Sequence, residues 1–196
     1  MPPLVEIQVS ATYWQARYAG GGNSGDGSRG DNARLKADYL NTFVKANQVR
    51  SVVEFGCGDG WQLSLANYPD YVGFDVSETA VEKCRTLFGM DSHKRFYLLP
   101  AAWPVSAELA LSLDVIYHLV EDDVYGKHLN DVFGSATRFV ILYTSDSDTV
   151  DPSLVSADHV LHRPVCRDVT SRFGGWLMID TLLTAGGSGF YTYERR

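Results

Sequence analysis

No run of apolar residues in this chain approaches the roughly 18 needed to cross a bilayer. The opening MPPLVEIQVS has no basic stretch followed by an apolar core, so neither a membrane span nor a secretory leader is expected. Cysteine is scarce. Cys57, Cys84 and Cys166 are odd in number and widely spaced, with no CxxC pair to hold zinc or cycle as a dithiol, and they read as free thiols in a reducing cytoplasm. Positive charge is short as well: 17 Lys and Arg against 24 Asp and Glu leave a formal net charge of -7. That balance repels polyphosphate and argues against stable nucleic-acid binding. Internal repeats and long charge runs are also missing. What remains is ordinary globular usage, 45% hydrophobic and 21% charged over 196 residues, enough for one domain with its own core.

Residues 20–30, GGGNSGDGSRG, contain six glycines and no apolar side chain, and are expected to form a mobile loop. They divide the chain into residues 1–30, an N-terminal helix with a glycine-rich lid segment, and residues 31–196, the main domain. Tyr13, Trp14, Arg17 and Tyr18 fall on one face of the short helix. Ala33, Ala37, Leu40, Phe43 and Val44 give a longer helix capped near Asp31 or Asn32. From Arg50 onward strand and helix signals alternate, as in an α/β domain with a mostly parallel sheet. Strands are expected at Ser51–Phe55, Tyr71–Asp75, Phe96–Leu99, Leu109–Tyr117 and Phe139–Tyr143. Helices are expected around Gln62–Ala66, after Ser77, and over Val124–Phe133. Trp176–Leu183 and Phe190–Tyr193 are joined by too few residues for a parallel crossover, so they form an antiparallel hairpin.

The chemistry concentrates in Val52-Val-Glu-Phe-Gly-Cys-Gly-Asp-Gly60. Glycines at alternate positions after an apolar strand let a ligand lie against bare backbone near a helix start. Asp75, ending the next strand in Tyr71-Val-Gly-Phe-Asp-Val-Ser77, offers a carboxylate to both hydroxyls of a ribose. A dinucleotide site wants G-x-G-x-x-G to seat a pyrophosphate, whereas Gly56, Gly58 and Gly60 read G-x-G-x-G with Trp61 next. Glu54 suits an ammonium better than a phosphate. An amino-acid-bearing nucleoside satisfies both observations.

These segments resemble motifs I and II of the class I S-adenosylmethionine (SAM)-dependent methyltransferases, and the terminal hairpin resembles that fold's last two strands. The resemblance spans roughly residues 31–196. It implies a Rossmann-like class I methyltransferase fold: a mostly parallel seven-stranded sheet with a C-terminal antiparallel hairpin and helices on both faces. It further implies that Glu54, Gly56, Cys57, Gly58 and Gly60 hold the methionine part of SAM, Asp75 the ribose and Val76 one face of the adenine. Leu113-Asp-Val-Ile-Tyr-His-Leu119 resembles the segment lining the methyl-transfer site, which adds Leu113 and Asp114 to the binding residues. There is a departure. Many members carry an acidic or amide residue after the third strand to meet the adenine amino group, and here that region is Leu98-Leu-Pro-Ala-Ala-Trp103.

His118 stands where a neutral imidazole reaches the acceptor's proton, or else merely bonds a loop. Tyr13, Trp14 and Arg17 are read as a lid over the cofactor, against the plainer reading of a docked helix with a linker. Asp158, His159, His162 and Arg163 make a polar cluster that reads by default as a solvated loop and otherwise as an acceptor-binding edge; without a known third ligand, His159 and His162 are not taken as a metal centre. The Asp114-Val-Ile-Tyr117 segment lacks the prolines of D-P-P-Y sequences that act on base amino groups, and no Pro-Cys pair offers a cytosine-attacking thiol. A small molecule or an exposed glycan end remains as acceptor, with O-methylation favoured, in keeping with a likeness to small methyltransferases found alongside sugar-modifying enzymes. The alternatives are N-methylation of a small molecule or peptide, a SAM-binding module without catalysis, and a nicotinamide-dependent oxidoreductase. No oligomeric state is read from the sequence.

Overall fold

The computed structural model describes residues 10–100, 105–148, 157, 159–184 and 186–196. Asp158 and the Ala101–Trp103 part of the segment after the third strand lie outside them. Among the described residues seven strands form one sheet: β1 (Val52–Phe55), β2 (Tyr71–Asp75), β3 (Lys94–Leu98), β4 (Ala107–Leu113), β5 (Ala136–Ser145), β6 (Trp176–Leu183) and β7 (Ser188–Arg195). Their order is β3-β2-β1-β4-β5-β7-β6. The first five strands pair in parallel, and β7 is inserted antiparallel between β5 and β6. The strand order reverses between β1 and β4, and in an open α/β sheet that crevice, at the carboxyl ends, is where ligands bind.

Among the described residues five helices accompany the sheet: α1 (Ser10–Ala19), α2 (Gly30–Ala46), α3 (Glu78–Leu87), α4 (Asp122–Ser135) and α5 (Val165–Arg172). Alternation along the strands divides the core in two. Leu40 and Val44 of α2 and Val81 and Cys84 of α3 pack with Leu109, Leu111 and Ile141 on one face. Leu129 and Val132 of α4 and Val165 and Val169 of α5 pack with Val53, Ala110 and Val140 on the other. Each sheet face is thus covered by one pair of amphipathic helices. Ser77 caps α3 as its spacing predicts, its Oγ accepting from Ala80 N at 3.3 Å. No helix among the described residues is long and apolar enough to cross a membrane.

Four local expectations are corrected. The turn after the glycine motif is a single 3-10 turn, Leu63–Leu65, because Asn67-Tyr-Pro69 leaves no room for a helix before β2 begins. β4 ends at Leu113, and Ile116–His118 forms its own 3-10 turn, since Asp114 adopts a left-handed φ of 58° that breaks the strand. The long helix starts at Gly30 with Arg29 as N-cap and no side-chain cap, rather than near Asp31 or Asn32. Finally, the glycine-rich segment is docked and not free. Backbone and side-chain groups between its glycines bond to the main domain: Ser24 backbone N donates to Asp59 Oδ2 at 3.3 Å, Asp59 N to Ser24 Oγ at 3.2 Å, and Arg29 pairs with Asp59 at 2.6 Å.

Candidate active site

The loop after β1 is shaped by its glycines. Gly56 and Gly58 take φ values of 89° and 59°, which L side chains rarely adopt. A Cβ on Gly56 would collide with the Val115 side chain, and one on Gly58 with Ser24 Oγ while standing 3.0 Å from Tyr18 Oη. Gly58 N donates to Asp75 Oδ2 and Ser77 N to Asp75 Oδ1, both at 2.9 Å. One carboxylate therefore ties the glycine loop to the end of β2. Each oxygen retains acceptor capacity for a further hydrogen bond. Burial pushes the Asp75 carboxyl up to about 6, against the pull of these backbone donors.

Beside this loop lies a cavity of about 420 Å³, within the size range of small-ligand sites. Its lining includes apolar Val76, Leu99, Pro100, Leu119 and Val124, and polar Glu54, Gln62 and Asp114. Glu54 is 4% exposed and accepts from Tyr71 Oη at 2.6 Å. Burial raises its carboxyl to about 7, opposed by the Tyr71 hydrogen bond and by Lys36. A carboxyl balanced near neutrality ionises readily when a cation is brought against it. Asp114 pairs with Lys36, which is fully buried on α2, and accepts from Tyr117 Oη at 2.8 Å. The backbone N of Asp114 donates to Tyr143 O at 2.9 Å, which holds the left-handed turn in place.

The N-terminal segment forms the roof. Ser10, Ala11, Trp14 and Gln15 of α1 line the cavity. Ser10 bonds Glu121 through backbone and hydroxyl, and Gln15 Nε2 donates to Val76 O at 3.1 Å. Tyr13 stacks on His159 at 4.3 Å, and Trp14 meets the His118 ring edge-on at 5.0 Å. His118 Nδ1 lies 3.0 Å from His159 O. Since a carbonyl only accepts, Nδ1 carries the proton and Nε2 keeps its lone pair. Burial lowers the His118 pKa, with the His159 carbonyl opposing.

Of the residues picked out by sequence, Trp14, Glu54, Gly56, Cys57, Gly58, Asp75, Val76, Leu113 and Asp114 line this cavity. Gly60 faces away from it, its missing Cβ pointing at Phe88 and Cys84. Tyr13, Arg17 and His118 pack against Trp14 and are not among the lining residues. His162 bonds Ser145 at 2.6 Å and Arg163 pairs with Asp122, and no metal-binding cluster occurs among the described residues. Sequence reading missed Lys36, Gln62 and Ser24. The one available signal was Lys36 standing between Ala33 and Ala37 and Leu40 on the apolar face of its helix. Lys127, His128 and Asp131 of α4 also join the lining, and Lys127 and Asp131 share an adjoining pocket with Leu99 and Pro100, which follow the third strand. Of these, His128 is held neutral by burial, its pKa lowered to about 4.

No family model matches the chain. A 90-residue stretch is 24% identical to a UPF0146 protein of Methanocaldococcus jannaschii, covering 45% of this chain and 61% of that protein. Among solved structures, magnesium protoporphyrin IX methyltransferase of Synechocystis with bound SAM aligns over 100% of both chains, with TM-score 0.70 and 16% identity. The N-methyltransferase NodS of Bradyrhizobium japonicum, in complex with S-adenosylhomocysteine (SAH), aligns over 95% of this chain and 98% of its own, with TM-score 0.71 and 11% identity. A DhpI–SAH complex aligns over 96% of each chain, with TM-score 0.66 and 16% identity. With its strand order, its antiparallel last pair and these likenesses, the chain has the fold of the class I SAM-dependent methyltransferases.

Proposed function

We propose that the protein is a SAM-dependent methyltransferase that acts on a hydroxyl of a small molecule or an exposed glycan end. The observation that carries this reading is the cavity itself, whose lining combines bare glycine backbone and Asp75, apolar side chains, and the carboxyls of Glu54 and Asp114. Those surfaces suit a ribose, an adenine and an amino-acid tail. A pyrophosphate fits less well. The glycine loop opens only a 3-10 turn, with no helix N-terminus to receive it, and Glu54 and Asp114 would repel it.

When bound, SAM supplies a methyl group on a positively charged sulfur. The chain's own part is to hold acceptor and methyl donor in line and to exclude water. α1 and the docked segment to Arg29 serve as the cover. An acceptor hydroxyl loses its proton to His118 Nε2, the lone pair left free by the His159 carbonyl, and Trp14 must shift for the acceptor to reach it. The acidic net charge of -7 favours a small acceptor over nucleic acid.

Asp75→Ala tests the assignment of the ribose. Removing the carboxylate should weaken SAH binding by about 1.5–3 kcal/mol, the usual loss for a charged hydrogen-bond partner, as read by calorimetric titration. Undiminished affinity would take the ribose away from Asp75.

A further inference from the structure

β6 closes the sheet on one side, and its composition is unusual for an edge. All of its residues but Trp176 are exposed, and the apolar Leu177, Met178, Ile179, Leu182 and Leu183 are between 44 and 57% exposed. β3, at the opposite edge, opens with Lys94 and Arg95, the kind of charge that guards an edge against pairing with another chain. β6 has no lysine, arginine or proline. Its one charge, Asp180, is turned onto α2, where it accepts from Tyr39 Oη at 2.9 Å. Leu35, also exposed, stands one turn before Tyr39 on that helix face and extends the apolar surface. The backbone is open as well. Thr184 N donates to Ser188 O at 2.8 Å, and back to Asp180 the pairing with β7 is regular. Backbone groups of Leu182 and Asp180 therefore face β7, and those of Thr181 and Leu183 face outward. A bulge between Met178 and Asp180 twists the earlier half of the strand, so residues 180–183 are its straight run.

We propose that this edge of β6 pairs antiparallel with the same strand of a second copy, joining two seven-stranded sheets into one and making the protein a reversible dimer. Strands related by a two-fold axis present the same groups to each other, so one edge supplies its own complement. Centred on Leu182, the pairing sets the Leu182 side chains of the two copies against each other at the closer spacing of a pair without ladder bonds, and lets Thr181 and Leu183 exchange their outward hydrogen bonds. Asp180 then lies opposite Thr184 and not opposite another carboxylate. The five exposed apolar side chains offer on the order of 450 Å² per copy, and covering them in both removes about 900 Å², the size of a weak, reversible interface. No residue of β6 lines the cavity, so each copy keeps its own site, and the proposal stands independently of the methyltransferase reading.

The test is sedimentation velocity of the full chain from about 1 to about 200 µM, which should show a monomer and a dimer exchanging with a dissociation constant in the micromolar range. Leu183→Lys places a charge on the most exposed of the five side chains and should weaken the dimer at least about 10-fold, with little change in melting temperature, as for an ordinary surface substitution. Leu182→Cys gives a second readout. With dissolved oxygen as oxidant, its two thiols should join across the axis into a disulfide-linked dimer on a non-reducing gel, faster than those of Leu177→Cys, which is exposed but off the axis. Should Leu183→Lys not fold, the two cysteine variants decide. A dimer unmoved by Leu183→Lys, or crosslinking at equal rates in the two cysteine variants, would overturn the proposal. So would a monomer at the highest concentration, which would leave the edge to a partner of another kind.

Discussion

Replacing His118 with alanine is expected to lower turnover on the true acceptor by roughly 10²- to 10⁴-fold, the usual range for lost general-base assistance, while SAM affinity stays nearly intact. The reason is local. A hydroxyl is a poor nucleophile while it keeps its proton, and His118 presents an unprotonated Nε2 because its Nδ1 is bound to His159 O. Burial lowers its pKa from the ordinary 6.5, so the ring is neutral at pH 7. The rate at saturating cofactor should fall as pH drops below that ordinary value, and this limb should vanish in the alanine variant. Saturation matters because Glu54, with a carboxyl near 7, makes cofactor binding itself pH-dependent. His118→Phe provides the control for packing. It keeps a ring beside Trp14 and His159 without the nitrogen, and should lose as much turnover as alanine. Near-normal turnover in either variant would place the base elsewhere and favour an amine acceptor, which needs less help.

The second large effect is on stability. Lys36 has a side chain 1% exposed and pairs with Asp114, whose side chain is 12% exposed. Lys36→Met leaves that carboxylate in the interior without its cation, and breaking a buried pair from one side costs about 3–5 kcal/mol. For a chain of this size, that is a fall in melting temperature on the order of 10 °C. The same change frees Asp114 from the α2 helix, and its left-handed backbone leads directly into the Ile116–His118 turn. Cofactor affinity should therefore drop as well. Combining Lys36→Met with Asp114→Asn removes the stranded charge and should recover part of the lost stability. A single variant that melts within about a degree of wild type would show the pair to be dispensable.

How much of this was legible beforehand depended on which interactions decide each element. β1, β2 and β5 are apolar, β-branched runs buried on both faces, and such runs announce themselves. The hairpin of β6 and β7 followed from the length of its connection alone. The glycine loop and Asp75 could be placed because backbone conformation and strand ends are local properties. The docking of residues 20–30 was not local. Nothing in GGGNSGDGSRG points to Asp59 or to the Tyr18 hydroxyl, and only the tertiary arrangement brings Ser24 against Gly58. Lys36 and Gln62 escaped for the same reason. A lysine on an apolar helix face acquires meaning only when Asp114 is found opposite it, and a glutamine after a glycine turn joins a cavity wall only once its neighbours have been placed. His118 shows the converse. Its place after the fourth strand was legible, and the structure adds that its ring packs edge-on against Trp14, which lines the cavity while His118 does not.

The account stands most directly on the ligand of the glycine loop, and parallel calorimetric titrations of the full chain with SAH and with NAD address it. The G-x-G-x-G spacing, the 3-10 turn behind it and the carboxyls in the cavity lining predict saturable binding of SAH at a single site and no binding of NAD. Binding of NAD with no response to SAH would contradict the account and make the cavity a dinucleotide site.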